Sequence, residues 1–498
     1  MTRLLMSGLV VSAMLLGGAS TASAENESKL KLMTVPLPYE LPDRPAGAIT
    51  SGKIFLNLCP GGCTVRPGMD DATTDTSSLV TQVKNLPEYT GWQTGEWAQV
   101  LECVKEVYSP YAVVVTDVRP PSTDSYAEIM IGGSPQDIGL PQGVGGVASV
   151  VPGCGANPKG VSFAFTSAIN IFAAEAGGSR VHGLCWIIAQ ETAHNFIGAG
   201  HAYEFIEDGR SACNDPMTYR ADCGGQKFFR NKVAREGDFA PCGMPDGQSN
   251  NLCYCGGQRN AHQKMLEVFG AGQTTIAPPT VMVNFPAAGA SLGATVTGLA
   301  GSKRGVERVE MYLNGWKWDT KPGALFGRTG QMNPSSYQFA VPGNLPNSTY
   351  DIVLKAYDDL GANTSSATVT VNKGGPCTSA EACAKGQKCE NGRCFWDQPT
   401  AEIGEDCTYN EFCKSNMCQG TAEQQICTQK CIPGTTDSCP TDSGLECLET
   451  GPGQGICFLP EDGGGCCSVG RDSNGWIPGA LGALAFGVIV LRPRRKRA

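Results

Sequence analysis

The chain has 498 residues, a formal net charge of −9 and 24 cysteines. Its length exceeds one ordinary hydrophobic core and implies about two to four domains. Positive charge forms no broad patch before the last seven residues, which argues against a nucleic-acid partner.

In chain order, residues 1–24 have the three parts of a secretory signal peptide: the charge of Arg3, the apolar stretch Leu4 to Leu16, and the small-residue cleavage site Ala22-Ser23-Ala24. Export is therefore expected, and it suits the cysteines, because disulfides persist in oxidising compartments. Ten cysteines lie between Cys59 and Cys255, twelve between Cys377 and Cys457, and two at Cys466-Cys467. Each block is even, as expected if bridges close within domains, so the cysteine map doubles as a domain map. Residues 25–48 are polar and Pro-rich and read as a leader or linker.

Residues 49–270 carry an α/β pattern. Strands are expected at Ile54 to Leu58, Tyr111 to Pro120 and Tyr126 to Gly133, and a helix at Gly95 to Tyr108. "GVSFAFTSAIN" alternates Val161, Phe163 and Phe165 as a further strand. A long helix from Ser179 to Ile197 is ended by Gly198 and Gly200.

Residues 277–373 contain short alternating runs without helices. Val309, Met311 and Leu313 share one face of a strand, and Tyr350, Ile352, Leu354 and Ala356 share one face of another, which implies a β-sandwich. The stretch "AYDDLGANTSSATVTV" resembles bacterial immunoglobulin-like modules. Residues 376–460 combine twelve cysteines with little apolar content and partial repeats, "CTSAEACAKGQKCENGRC" and "CTYNEFCKSNMC". With no His in this region and export expected, disulfides rather than zinc are the reading: a small disulfide domain whose bridges replace a core. In the tail, 461–498, a Cys pair, a polar spacer, a short apolar run from Trp476 to Leu491 and "RPRRKR" follow one another. That order resembles the C-terminal sorting tail of myxobacterial surface proteins (MYXO-CTERM). The resemblance implies tail removal, a lipid anchor on Cys466 or Cys467, and an outer-surface, membrane-attached protein.

The chemistry concentrates in "QETAHNFIGAGH", Gln190 to His201. On a helix, Gln190 and His194 share a face and Glu191 lies about 100° round. A hydrolytic zinc needs three protein ligands and an open water position, with a carboxylate nearby to take the water's proton. Only four histidines occur in the chain, and two of them fall here. His182, two turns earlier, and His262, in the Cys-rich end of the domain, are placed too far to substitute.

The stretch resembles the metzincins, whose pattern is H-E-x-x-H-x-x-G-x-x-H followed by a Met-turn. "NDPMTY" (Asn214 to Tyr219) looks like that turn, with Met217 beneath the metal and Tyr219 nearby. The resemblance implies a zinc peptidase fold over residues 49–270, with His194, His201 and the substituted Gln190 as metal ligands, Glu191 as general base, and "GVSFAFTSAIN" as the edge strand that pairs with substrate. It departs from the family in two ways: Gln190 replaces the first histidine, and one extra residue, at Ile197, separates His194 from His201. Whether the chain is an active enzyme is therefore open. The whole reads as a multidomain protein: an α/β (α+β) metzincin-like zincin domain, an immunoglobulin-like β-sandwich and a small disulfide-rich domain. The expected cofactor is Zn2+, and the expected partners are a peptide or protein substrate or a surface ligand. The alternative is a catalytically inactive pseudopeptidase serving as a surface binding or adhesion protein.

Overall fold

The alternating and helical apolar patterns become three successive regions in a computed structural model. Its described residues are 31–36, 38, 52–151, 155–175, 178–198, 200–207, 209–220, 224–238, 240–243, 253, 256–323, 334–395, 401–420, 424–435, 438–440, 444–451 and 454–459. The signal peptide, most of the leader, and the sorting tail with Cys466 and Cys467 lie outside them. The protein is multi-sheet and mostly β, with few helices and a disulfide-rich region towards the C-terminus. Among the described residues no helix is long and apolar enough to cross a membrane.

The first region contains, in order, β1 (Lys31–Pro36), β2 (Lys53–Asn57), a flap of β3 (Cys63–Pro67), β4 (Thr76–Ser77) and β5 (Lys84–Leu86), and α1 (Glu96–Tyr108). Next come β6 (Val114–Thr116), β7 (Ala127–Gly132), β8 (Val144–Val150), β9 (Val161–Phe165), α2 (Ile169–Glu175) and α3 (Arg180–Ile197). Six strands form one sheet in the order β1-β8-β9-β7-β2-β6. β6, β2, β7 and β9 are parallel, β8 runs antiparallel to β9, and β1 runs parallel to β8. One face of the sheet packs Ile54, Leu56, Ile129 and Ile131 against α1 and α3. Phe55, Met130, Phe163 and Phe165 fill the other face beneath the flap, which Cys59–Cys63 ties.

Three expectations are corrected here. "GVSFAFTSAIN" is not an edge strand: β9 is paired on both sides, and the antiparallel strand beyond it is β8. Glycines 145 and 146 interrupt the side-chain alternation of β8 and conceal it. Secondly, Lys31–Pro36, read as leader, pairs with β8, with a register shift after Lys31, and belongs to the sheet. The strand expected over Tyr111 to Pro120 shortens to β6; Tyr111, ahead of it, is buried and bonds His262 Nδ1 at 2.9 Å.

Beyond α3 the chain forms a small sheet of β10 (Ala202–Phe205), β11 (Arg210–Ser211), β12 (Ala234–Glu236) and β13 (Gln258–Arg259), then α4 (Ala261–Phe269). Cys103–Cys185 staples α1 to α3, and Cys242–Cys253 closes the loop after β12.

Residues 280–373 form a two-sheet sandwich of immunoglobulin-like character. One sheet holds β14 (Thr280–Phe285), β15 (Thr295–Gly301) and, later in the chain, β18 (Ser335–Ala340). β16 (Arg308–Leu313), β17 (Trp316–Pro322), β19 (Ser348–Tyr357), β20 (Asn363–Ser365) and β21 (Val369–Lys373) make the other. Val309, Met311, Leu313, Ile352, Leu354 and Ala356 are buried as their alternation requires.

The sandwich joins the first region through a buried ionic cluster. The Arg304 guanidinium reaches both Asp359 carboxylate oxygens and the Phe229 carbonyl, and Arg230 donates to the Arg304 carbonyl. Asn231 N also donates to Asp359, at 3.1 Å. Both arginines are at most 1% exposed, so Asp359 is the counter-ion that makes their burial tolerable.

In the third region all twelve cysteines pair, in three consecutive units with one interleaved pattern. The bridges are Cys377–Cys389 with Cys383–Cys394, Cys407–Cys418 with Cys413–Cys427, and Cys431–Cys447 with Cys439–Cys457. The two partial repeats of the sequence are thus the first two of three units.

The arginines hold the Asp359 carboxyl down at about 2. A depressed folded-state value contributes stability that is present above the unfolded value near 4 and lost as pH falls through 2, roughly 2 kcal/mol here. Asp359→Ala should strand two buried cations and cost about 3–5 kcal/mol. Denaturant unfolding at pH 7 checks this, and a loss below 1 kcal/mol would contradict it.

Candidate metal centre

Every side of α3 is buried from Gly183 to Ile197, so each of its stripes has a different partner. Ser179 caps the start, accepting from His182 N at 3.1 Å, and Gly198 ends the helix with φ 59. That left-handed conformation suits glycine. Arg259 donates to the Ile197 carbonyl at 3.1 Å, supplying a cation at the helix C-terminus.

The stripe Trp186, Gln190, His194 faces the turn from Asn214 to Tyr219. Trp186 Nε1 donates to Pro216 O at 2.9 Å, and Gln190 Nε2 donates to Thr218 O at 3.3 Å. Asp215 rigidifies this turn, accepting from Met217 N at 2.9 Å and from Arg230 N at 2.8 Å. Burial pushes the Asp215 carboxyl up to about 6 against the pull of those two N–H groups. Met217 is buried, and its carbonyl accepts from Ala202 N, next to His201.

The Gly198 turn brings His201 back to His194 despite the extra residue at Ile197. Their Nε2 atoms lie 3.2 Å apart with the rings perpendicular. Tyr219 packs on His201 with ring centroids 4.2 Å apart, and Asp238 Oδ1 lies 2.7 Å from His201 Nδ1. The candidate ligands Gln190, His194 and His201 and the turn residues Met217 and Tyr219 are therefore brought together. His182 is half-buried at the start of α3, and His262 is held by Tyr111.

The next stripe, Ile187 and Glu191, faces β8. A Cβ on Gly146 would stand 2.5 Å from Glu191 Oε1 and 2.8 Å from Ile187 Cγ2, so glycine is what lets helix and strand approach. Glu191 is 0% exposed, and neither carboxyl oxygen has a hydrogen-bond partner among the described residues. Desolvation pushes its carboxyl well above the usual range. On a third stripe, Thr192 bonds Tyr108 of α1 at 2.6 Å.

The donor set suits a divalent metal. Two nitrogens bound at about 2.05 Å in a tetrahedral shell stand about 3.3 Å apart, close to the spacing of the imidazoles. The Gln190 amide is oriented by Thr218, and its Oε1 is a buried acceptor without a partner among the described residues. The ligands are neutral and include an oxygen, so they would hold a metal less tightly than three imidazoles. Among the described residues, the trios of Cys, His, Asp or Glu ligand atoms within 4.8 Å of one another are all cysteine clusters, whose sulfurs are spent in the bridges given above; the candidate centre, with two histidines and an amide, is not one of them.

Sequence reasoning missed Asp238, Asp215, Thr218 and Gly146. Asp238 is 37 positions from its partner histidine, and no local periodicity connects them.

No protein-family model and no curated protein matches the chain. Among solved structures, the fibronectin(III)-like modules of Clostridium thermocellum CbhA are similar over 19% of this chain and 96% of theirs, at 18% identity and a TM-score of 0.15. An endo-beta-1,4-mannanase double mutant of Cellulomonas fimi is similar over 57% of this chain and 60% of its own, at 12% identity and a TM-score of 0.14. At those scores neither similarity bears on fold or activity.

The unpartnered carboxyl makes a stability prediction. A raised folded-state value means that the folded protein keeps a proton the unfolded chain releases, so stability falls as pH rises above about 4.3. Glu191→Gln should therefore melt with wild type at pH 4 and several degrees higher at pH 8, with chelator present in both. Equal melting temperatures at pH 8 would contradict the burial of an unpaired carboxyl.

Proposed function

We propose that the first region is a metzincin-like zinc metallopeptidase domain of an exported, surface-attached protein. The single observation supporting this is the convergence of Gln190, His194 and His201 on the turn at Met217, with the histidine Nε2 atoms 3.2 Å apart. Those three side chains would hold Zn2+, which when bound polarises a peptide carbonyl and acidifies a water.

The other roles fall to this chain's own groups. Glu191, one helix position from the first ligand, would be the general base, taking the water's proton as its ionised carboxylate and returning it to the leaving amine. Met217 and Tyr219 form the floor and wall that hold His201 in place. The N-terminal signal and the Cys466-Cys467 tail support display on the outer surface. The disulfide domain and the immunoglobulin-like sandwich then serve as the stalk.

One observation favours the second reading, an inactive fold retained for binding. Gln190, Glu191 and His194 are 0% exposed and His201 is 4% exposed, which leaves a substrate no direct approach.

Metal analysis and proteolysis separate the two. The peptidase reading expects near one zinc per mature chain, cleavage of a denatured protein substrate, and loss of cleavage with a chelator or with Glu191→Ala. Gln190→His should raise zinc affinity by about tenfold or more, since imidazole is the stronger donor. Zinc-free protein that cleaves no denatured substrate would sink the peptidase and leave the binding fold.

A further inference from the structure

We infer that Asp238 is a positioning residue that fixes the tautomer and aim of His201. The inference rests on the metal-site reading above and adds a residue to it.

The β10–β12 pairing carries the chain past His201, and two contacts tie the segment there. Gly237 N donates to the His201 carbonyl at 2.8 Å, and the Asp238 carboxylate lies 2.7 Å from His201 Nδ1. A carboxylate only accepts, so the bond requires the proton on Nδ1. In neutral His201, Nε2 is then a bare lone pair, and it points at His194 Nε2, 3.2 Å away. Tyr219 against the ring face opposes rotation about the side chain. Ring plane, tautomer and lone-pair direction are thus set by two segments outside α3, residues 237–238 and the turn that carries Tyr219. A carboxylate on the far nitrogen of a ligand imidazole also raises its basicity and strengthens its bond to a metal.

The asymmetry of burial suits the role. The His201 side chain is 3% exposed and Asp238 30% exposed, so the carboxylate keeps contact with water while the ligand atom is dry. The positioning charge avoids the desolvation that a fully buried carboxylate would suffer.

The test uses the full chain labelled with 15N-histidine. With four histidines, the ring nitrogens give a short set of signals, and His201→Gln assigns one of them. In metal-free wild type, His201 should show a protonated Nδ1 and a bare Nε2. Asp238→Ala should convert it to a mixed or reversed tautomer and weaken Zn2+ binding, measured by chelator competition, by about 10–100-fold. Asp238→Asn keeps a carbonyl acceptor and should restore the tautomer and most of the affinity. An unchanged tautomer in Asp238→Ala, or equal zinc loss in both variants, would overturn the assignment. If wild type binds no zinc, the metal-site reading fails, while the tautomer comparison still decides whether Asp238 sets the ring.

Discussion

The burial of α3 on every side from Gly183 to Ile197 is the constraint from which the rest of the first region follows. A helix exposed on no side must place its polar residues against partners, because an unpaired buried polar atom costs on the order of 1–3 kcal/mol. Each stripe therefore specifies a neighbour. Thr192 requires the Tyr108 hydroxyl of α1, Trp186 and Gln190 require the carbonyls of the 214–219 turn, and Asn195 accepts from Ser149 of β8. The helix thereby fixes the positions of α1, the turn and β8 together, and the Cys103–Cys185 bridge secures one of those contacts covalently.

Among the described residues, three side chains of the helix break the rule: Gln190 at Oε1, Glu191 at both oxygens and Asn195 at Nδ2. A helix selected only for packing would carry leucine or alanine there. On the proposed metal-site reading, the unpaired amide and carboxyl are where stability is traded for chemistry. The cost is carried by a well-supported frame. Disulfides tie the helix and the flap, and the Arg304–Asp359 cluster closes the domain's underside against the sandwich, leaving little freedom for the site's walls to relax inward.

Legibility in the sequence followed the range of the interactions. The limits of α3 were readable because Ser179 and Gly198 act within one turn of the residues they cap. The faces of β16 and β19 were readable because alternation is local. β8 was hidden, since its glycines serve contact with α3 rather than a side-chain pattern, and β1 was hidden because backbone pairing leaves no composition signal in six residues. The same division runs through the site. Gln190, Glu191, His194 and His201 lie in one short stretch, whereas Asp238, Asp215 and Gly146 reach it only through tertiary pairing. The extra residue at Ile197 looked disruptive on an ideal helix, yet the helix stops there and the glycine turn absorbs it.

The interleaved bridges of the third region have a topological consequence. Within each unit the first cysteine joins the third and the second joins the fourth. A single peptide-bond break anywhere between the outer cysteines of a unit leaves both halves covalently attached. The vulnerable points shrink to the connectors between units, where no bridge crosses: residues 395–406 and 428–430. The last unit leaves such a seam only after Cys457. A single cut inside a unit therefore releases nothing, whereas a single cut in a connector severs the segment, so the connection between its ends is only as durable as those two short stretches.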